Sequence, residues 1–231
     1  MLFKKTTSSN INTPKFWDDK FQEEWDILQT AEHAHSVSGY RWDAMRFGVL
    51  SSYMPLRGKL LDIGCGIGHF CRYIKARNPY LEVHGVDFTH KGIEFAKQFD
   101  PRIDFQNGEA TKIPFPDNYF DIVSAQEIIE HLDDPTKAIK EWRRVLKPGG
   151  ELYITTPWRG AGEQYGITAE VMSVEHLREW TPSEFAKLCS QVLDKDEKKA
   201  IFPPAMTDVV SKETTMPVWF LFICKKVGDI K

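Results

Sequence analysis

Leu60-Leu61-Asp62-Ile63-Gly64-Cys65-Gly66-Ile67-Gly68-His69-Phe70 is the stretch whose reading decides the fold. A short apolar run over 59–63 ends in three glycines at alternate positions, and a helix-like pattern resumes from Phe70 to Ile74. That reads as a buried strand, a tight turn and a helix start. Without a Cβ, the glycines admit unusual φ/ψ and let a ligand lie directly on the backbone. Asp62, near the strand end, is expected to point its carboxylate toward the turn. A nucleotide-type ligand is expected there, at the carboxyl ends of the strands. Gly-x-Gly-x-Gly alone also fits turns that bind nothing and NAD enzymes, so the flanking chain has to decide.

The 231 residues suit one domain with modest additions. Hydrophobic residues make up 42% and charged residues 27%, an ordinary globular mix. A net charge of −3 and a pI near 6.2 argue against strong unspecific nucleic-acid binding. Cys65, Cys71, Cys189 and Cys224 form no Cys-x-x-Cys pair, which suggests neither a zinc site nor a disulfide framework. The first residues lack an apolar signal region and no stretch reaches membrane-spanning length, so a cytoplasmic setting is expected.

Working outward, residues 1–14 are polar and read as loosely attached. Phe16, Trp17, Phe21, Trp25 and Leu28 recur at near-helical spacing, and a second helix is expected over 40–53. These helices precede the first strand, giving an N-terminal helical extension over 1–54 that packs on the sheet or covers the cleft, ahead of a ligand-binding unit over 55–231. Arg46 on the second helix suits a ligand carboxylate, which guanidinium binds bidentately. After the glycine turn come a helix over 70–77, a strand over 81–86 ending in Asp87-Phe88, a helix over 92–98 and a strand over 103–106. Asp87 lies where a Rossmann-like sheet places the carboxylate that accepts ribose hydroxyls. Phe88 suits an adenine face, and Glu109 an exocyclic amine. A strand over 119–125, a helix from about Ile128 broken at Asp133-Asp134-Pro135, and a strand over 151–155 follow. Strict alternation implies a parallel sheet with right-handed crossovers. Residues 157–173 read as a mobile loop or lid bearing Arg159 and Tyr165 as substrate contacts, with Arg178 beyond it. Thr181-Pro182-Ser183-Glu184 reads as a helix start, and 197–203 and 216–226 as the closing strands.

Four segments together resemble the class I S-adenosylmethionine-dependent methyltransferases, in the group that includes ubiquinone-pathway O-methyltransferases. They are Leu61 to Gly68; Val86-Asp87; Ile113-Pro114-Phe115 with Phe120-Asp121-Ile122-Val123; and Arg144-Val145-Leu146-Lys147-Pro148-Gly149-Gly150. The resemblance implies an α/β fold: a Rossmann-like seven-stranded, mostly parallel sheet with helices on both faces and an antiparallel last strand over 216–226. It implies that Gly64, Cys65, Gly66 and Gly68, with Asp62, contact the methionine part of S-adenosylmethionine. Asp87 would take the ribose, Phe88 and Ala110 the adenine faces, Glu109 the adenine amine, and the backbone near Gln126 the methionine amino group. The implied reaction is methyl transfer to an oxygen or nitrogen of a small-molecule acceptor. RNA 2′-O-methylation and a non-catalytic cofactor-binding partner subunit are the alternatives, and a homodimer is compatible with the sequence.

Glu127-Ile128-Ile129-Glu130-His131 is where the chemistry would differ. On a helix, Glu127, Glu130 and His131 share one face, and with His176 they resemble the metal set of two branches of the family. There Mg2+ or another divalent ion would position and acidify a substrate hydroxyl. Other members carry the same acids without a metal, in which case His131 or His176, with Glu130 beside them, is the general base.

Overall fold

A computed structural model describes residues 13–29, 37–158, 176–193, 196–201 and 219–227, with backbone alone for 24–29 and 37–44. The expected loose N-terminus and most of the expected lid, with Arg159 and Tyr165, lie outside the described residues, as do the side chains of Trp25, Leu28, Tyr40 and Arg41.

Two helices, α1 (Pro14–Gln29) and α2 (Val37–Tyr53), precede the alternating core. The core runs β1 (Gly58–Ile63), α3 (His69–Arg77), β2 (Leu81–Asp87), α4 (His90–Phe99), β3 (Asp104–Asn107) and β4 (Phe120–Gln126). It continues through a 3-10 turn (Ile129–His131), α5 (Pro135–Val145), β5 (Leu146–Pro157), α6 (Pro182–Ser190), β6 (Glu197–Ile201) and β7 (Trp219–Lys225). The seven strands form one sheet in the order β3-β2-β1-β4-β5-β7-β6. β1 to β5 are parallel, and β7 runs antiparallel to both β5 and β6.

Both faces are covered, which is why the strands read as continuous apolar runs rather than alternating ones. Leu60, Ile122 and Tyr153 face a core shared with Phe47 and Leu50 of α2 and Phe70 and Ile74 of α3. Leu61, Val123 and Ile154, one residue on, face a second core with Trp142 of α5 and Phe185 of α6. The period-two pleat assigns neighbours to opposite faces, fixing the register of the whole sheet. Strand order reverses at β1/β4, and the crevice outside the carboxyl ends of these strands is where such sheets bind ligands. Among the described residues, no helix is long and apolar enough to cross a membrane.

The segment after β4 departs from expectation. Glu127 adopts φ 50 and only a three-residue 3-10 turn follows, so no α-helix begins at Ile128. The helical-face argument for Glu127, Glu130 and His131 fails with it. β5 also starts early: Leu146 pairs with Phe120 before a shift, after which Glu151 pairs with Ile122.

Candidate active site

The turn after β1 is built by hydrogen bonds to the end of β2. The amides of Gly64 and Cys65 both donate to the Val86 carbonyl, at 2.8 and 3.2 Å. Gly64 and Gly66 hold φ of 70 and 51, a region costly for residues with a Cβ. The space is as restrictive as the dihedral: a Cβ on Gly64 would stand 2.5 Å from Ile128 Cδ1, and one on Gly66 2.9 Å from Phe21 Cζ. The turn is thus sandwiched between the segment after β4 and helix α1.

Asp87 closes β2 in a buried position. Its Oδ2 accepts the Gly66 amide at 2.9 Å, and its Oδ1 accepts both the amide and the hydroxyl of Thr89, at 2.9 and 2.6 Å. Burial raises its pKa above the usual carboxylate value, and the Thr89 and Gly66 bonds pull it back. Thr89 is the N-cap residue of α4, yet its hydroxyl is turned to Asp87. The α4 amide of Lys91 is satisfied instead by Asp18 Oδ1 of α1, at 2.7 Å. An acid from a distant helix at a helix N-terminus meets both the orphan amide and the dipole, and it fastens α1 over the turn.

A cavity of about 540 Å³ opens between these parts. Gly64, Asp87, Phe88, Glu109 and Ala110 line it together with Pro14, Trp17 and Phe21 of α1. Glu127, Ile128, His131, Leu132, Asp133, Asp134 and Lys137 are also in the lining. Gly64, Asp87, Phe88, Glu109, Ala110, Glu127 and His131 therefore meet in one space.

Asp62, Cys65, Gly66, Gly68, Gln126, Arg46, Glu130 and His176 stand outside that lining. Asp62 is buried among Cys71, Ser124 and Gln126. Gln126 Nε2 is 3.5 Å from its Oδ1 and Cys71 Sγ 3.6 Å from its Oδ2. Burial pushes its pKa up to about 7, against the lowering pull of Ser124, Cys71, Gln126 and Arg46. The Cys65 thiol is also buried, its pKa pushed well up by desolvation, and it donates to the Gly66 carbonyl at 3.8 Å. Gln126 Nε2 donates to Ser124 Oγ at 3.1 Å, while its Oε1 has no hydrogen-bond partner among the described residues. Arg46 Nη1 stands 3.9 Å from Glu127 Oε1.

Glu130 is fully buried. Its Oε2 accepts the Thr156 hydroxyl at 3.1 Å; Oε1 has no hydrogen-bond partner among the described residues and lies 3.9 Å from His131 Nε2. Burial first, then the Glu127 charge, raises its pKa well above the ordinary range. The His131 ring meets Trp17 and His176 edge-on, at centroid distances of 5.2 and 5.1 Å. One ligand atom each of Glu130, His131 and His176 falls within 4.8 Å of the others, while Glu127 is not of this group. His176 Nδ1 is 2.6 Å from Glu179 Oε1. Arg178 reaches the Asp133 carbonyl at 3.1 Å.

Sequence reasoning left open whether the helix bearing Trp17 and Phe21 packs on the sheet or covers the cleft, and it missed Asp18 as a fastening and Glu179 as the partner of His176. The spacing of Trp17 and Phe21 signals an apolar helix face but not what that face covers.

A doubly covered, mostly parallel sheet with an antiparallel β7, a glycine turn after β1 and an acid ending β2 define a class I methyltransferase architecture. Residues 61–154 match the methyltransferase domain family. It is 37% identical over 99 residues to a demethylmenaquinone methyltransferase of Chlorobaculum parvum, covering 43% of this chain and 41% of that protein. It is 36% identical over 111 residues to the 27-O-demethylrifamycin SV methyltransferase of Amycolatopsis mediterranei, covering 45% of this chain and 40% of that protein. The chain thus spans about two fifths of the length of these relatives. The fold is shared with Haemonchus contortus phosphoethanolamine N-methyltransferase 2 in complex with S-adenosyl-L-methionine, at a TM-score of 0.65 and 16% identity over 98% of this chain and 61% of that one.

Proposed function

We propose that this chain transfers the methyl group of S-adenosylmethionine to an oxygen or nitrogen of a small-molecule acceptor, with residues 1–54 as a helical cap on a methyltransferase unit over 55–231. The observation that carries this reading is the single cavity joining the glycine turn, Asp87 and the Glu109–Ala110 pair to His131. The residues fit the cofactor: Asp87 retains lone pairs for ribose hydroxyls, Phe88 and Ala110 would flank adenine, and Glu109 would accept from its amine. Gln126 Oε1, without a hydrogen-bond partner among the described residues, is an acceptor suited to the methionine ammonium, and Arg46 suits its carboxylate. Bound S-adenosylmethionine would supply an electrophilic methyl: the acceptor oxygen or nitrogen would bond to it in line as the carbon–sulfur bond breaks, its electron pair leaving with S-adenosylhomocysteine. The protein's part is to align the pair, exclude water and take the acceptor's proton. His131, in the cavity lining, takes that proton, and Trp17 and Phe21 close the space over it.

The convergence of Glu130, His131 and His176 supports a second reading of the same corner, a divalent-ion site. The acids at the rim, Asp133 and Asp134, disfavour an RNA acceptor, whose phosphates they would repel.

Calorimetric titration with S-adenosylhomocysteine, with and without EDTA and beside NADH, tests both readings. Binding of S-adenosylhomocysteine alone is the expected result, and EDTA sensitivity would assign the corner to a metal. Binding of NADH, or of neither ligand, would overturn the proposal.

A further inference from the structure

We propose that Glu179 is a positioning residue of the acceptor side: it takes the Nδ1 hydrogen of His176 and leaves the Nε2 lone pair of that ring for the Glu130–His131 corner. The functional meaning rests on the divalent-ion reading of the Glu130–His131–His176 corner given above, whereas the structural content stands without it. The two groups meet at 2.6 Å with side chains only 14% and 7% exposed. A carboxylate oxygen only accepts, so the ring nitrogen facing it carries the hydrogen, and a neutral imidazole then keeps its lone pair on the other nitrogen. A second carboxylate behind a working imidazole fixes tautomer and orientation in this way.

The backbone around the pair is held from both ends. The Leu177 amide donates to the Glu130 carbonyl at 3.0 Å, tying this segment to the turn that bears His131. Trp180 forms a bridge with Trp158, just past β5. Thr181 and Glu184 then form a reciprocal capping box that starts α6: the Thr181 amide donates to Glu184 Oε2 at 2.8 Å, and the Glu184 amide to Thr181 Oγ1 at 3.3 Å. An exposed pair on mobile chain is worth little. This one is largely buried on anchored backbone, and orienting the ring is the work such a placement suits.

Long-range proton–nitrogen correlation spectra of the full-length, nitrogen-labelled chain test the proposal directly, with His176 assigned from a His176→Asn variant. Wild type is expected to show His176 with its hydrogen on Nδ1. Glu179→Ala is expected to lose that tautomer, and Glu179→Gln to keep it, since the amide carbonyl still accepts. Transfer of tritiated methyl into a small-molecule extract should fall by about 10- to 100-fold in Glu179→Ala and recover in Glu179→Gln, the range typical of such outer-sphere partners. A hydrogen on Nε2 in wild type, or an unchanged tautomer in Glu179→Ala, overturns the assignment. Should Glu179→Ala not fold, the wild-type spectrum decides alone. Titrating each sample with S-adenosylhomocysteine keeps the two readings apart: failure of wild type to bind would sink the methyltransferase reading while the tautomer result stands.

Discussion

Asp62 sits at a buried position where a carboxyl has lost its water and gained only partial replacement. Its pKa in the fold is about 7, whereas an unfolded aspartate loses its proton near ~3.9. Between those values the folded state binds more protons than the unfolded one, so this group's contribution to stability declines as pH rises through that window. The full cost is carried above the folded value. Asp62→Asn is therefore expected to match wild type near pH 4 and to exceed it at pH 8 by up to about 4 kcal/mol. Urea midpoints of the two proteins across that range check it, and a pH-independent difference would refute it. The same substitution is expected to weaken S-adenosylhomocysteine binding, a stability–function trade-off at one atom. Glu130 follows the same direction, raised by burial and by Glu127. Glu130→Gln keeps an acceptor for the Thr156 hydroxyl, so it is expected to be no less stable than wild type at pH 8 and to retain cofactor affinity. A clear loss of thermal stability at that pH would show that Glu130 is ionised in the fold.

Among the elements, α1 links cofactor turn, acceptor wall and α4 at once. Its Asp18 caps α4 because Thr89 has turned its hydroxyl to Asp87. Asp18→Ala is expected to cost about 1 kcal/mol, the usual worth of an N-cap, and to weaken S-adenosylhomocysteine binding by loosening the Trp17–Phe21 wall. Asp18→Asn, still an acceptor, should recover most of both. Calorimetry beside thermal unfolding separates the two effects, and an unchanged affinity in Asp18→Ala would show that α1 does not hold the wall. The sequence shows the apolar stripe of α1 through Phe16, Trp17 and Phe21, because side-chain periodicity records that a face is buried. It does not record against what, which tertiary packing alone decides. Glu127 is the opposite failure. Its neighbours suit a helix, but its left-handed backbone is imposed by the Thr155 carbonyl, which takes its amide at 3.1 Å. A contact 28 residues away leaves no local trace, so Glu127 stays close enough for its charge to raise the Glu130 pKa but drops out of the Glu130–His131–His176 cluster. The glycine turn was legible for the converse reason: its constraint is local and only glycine meets it.

Across the whole molecule, the parallel half of the sheet was readable from strict alternation of strand and helix, while β7 was placed by family resemblance and not by its own pattern. An apolar run such as Trp219 to Cys224 announces a buried strand but not its neighbours. β7 lies between β5 and β6, inside the sheet, so the last strand in the chain completes pairing for two others. What anchors its end is Lys226, only 3% exposed. Its ammonium donates to Asn118 Oδ1, Arg143 O and Leu146 O at 2.8, 3.0 and 2.8 Å. Its backbone exchanges hydrogen bonds with Gly149 and Gly150, at 2.8 and 2.9 Å. One side chain thus joins the end of β7 to the loop before β4 and to the α5–β5 junction. Lys226→Met keeps the length and apolar stem but strands these acceptors without a donor, and an unsatisfied buried polar group costs about 1–3 kcal/mol. The expected outcome is a loss on the order of 3 kcal/mol in urea unfolding with unchanged S-adenosylhomocysteine affinity, since the anchor lies at the amino ends of the parallel strands, away from the cavity. A stability within error of wild type would mean that water replaces the ammonium, and that β7 is held by its ladders and apolar faces alone.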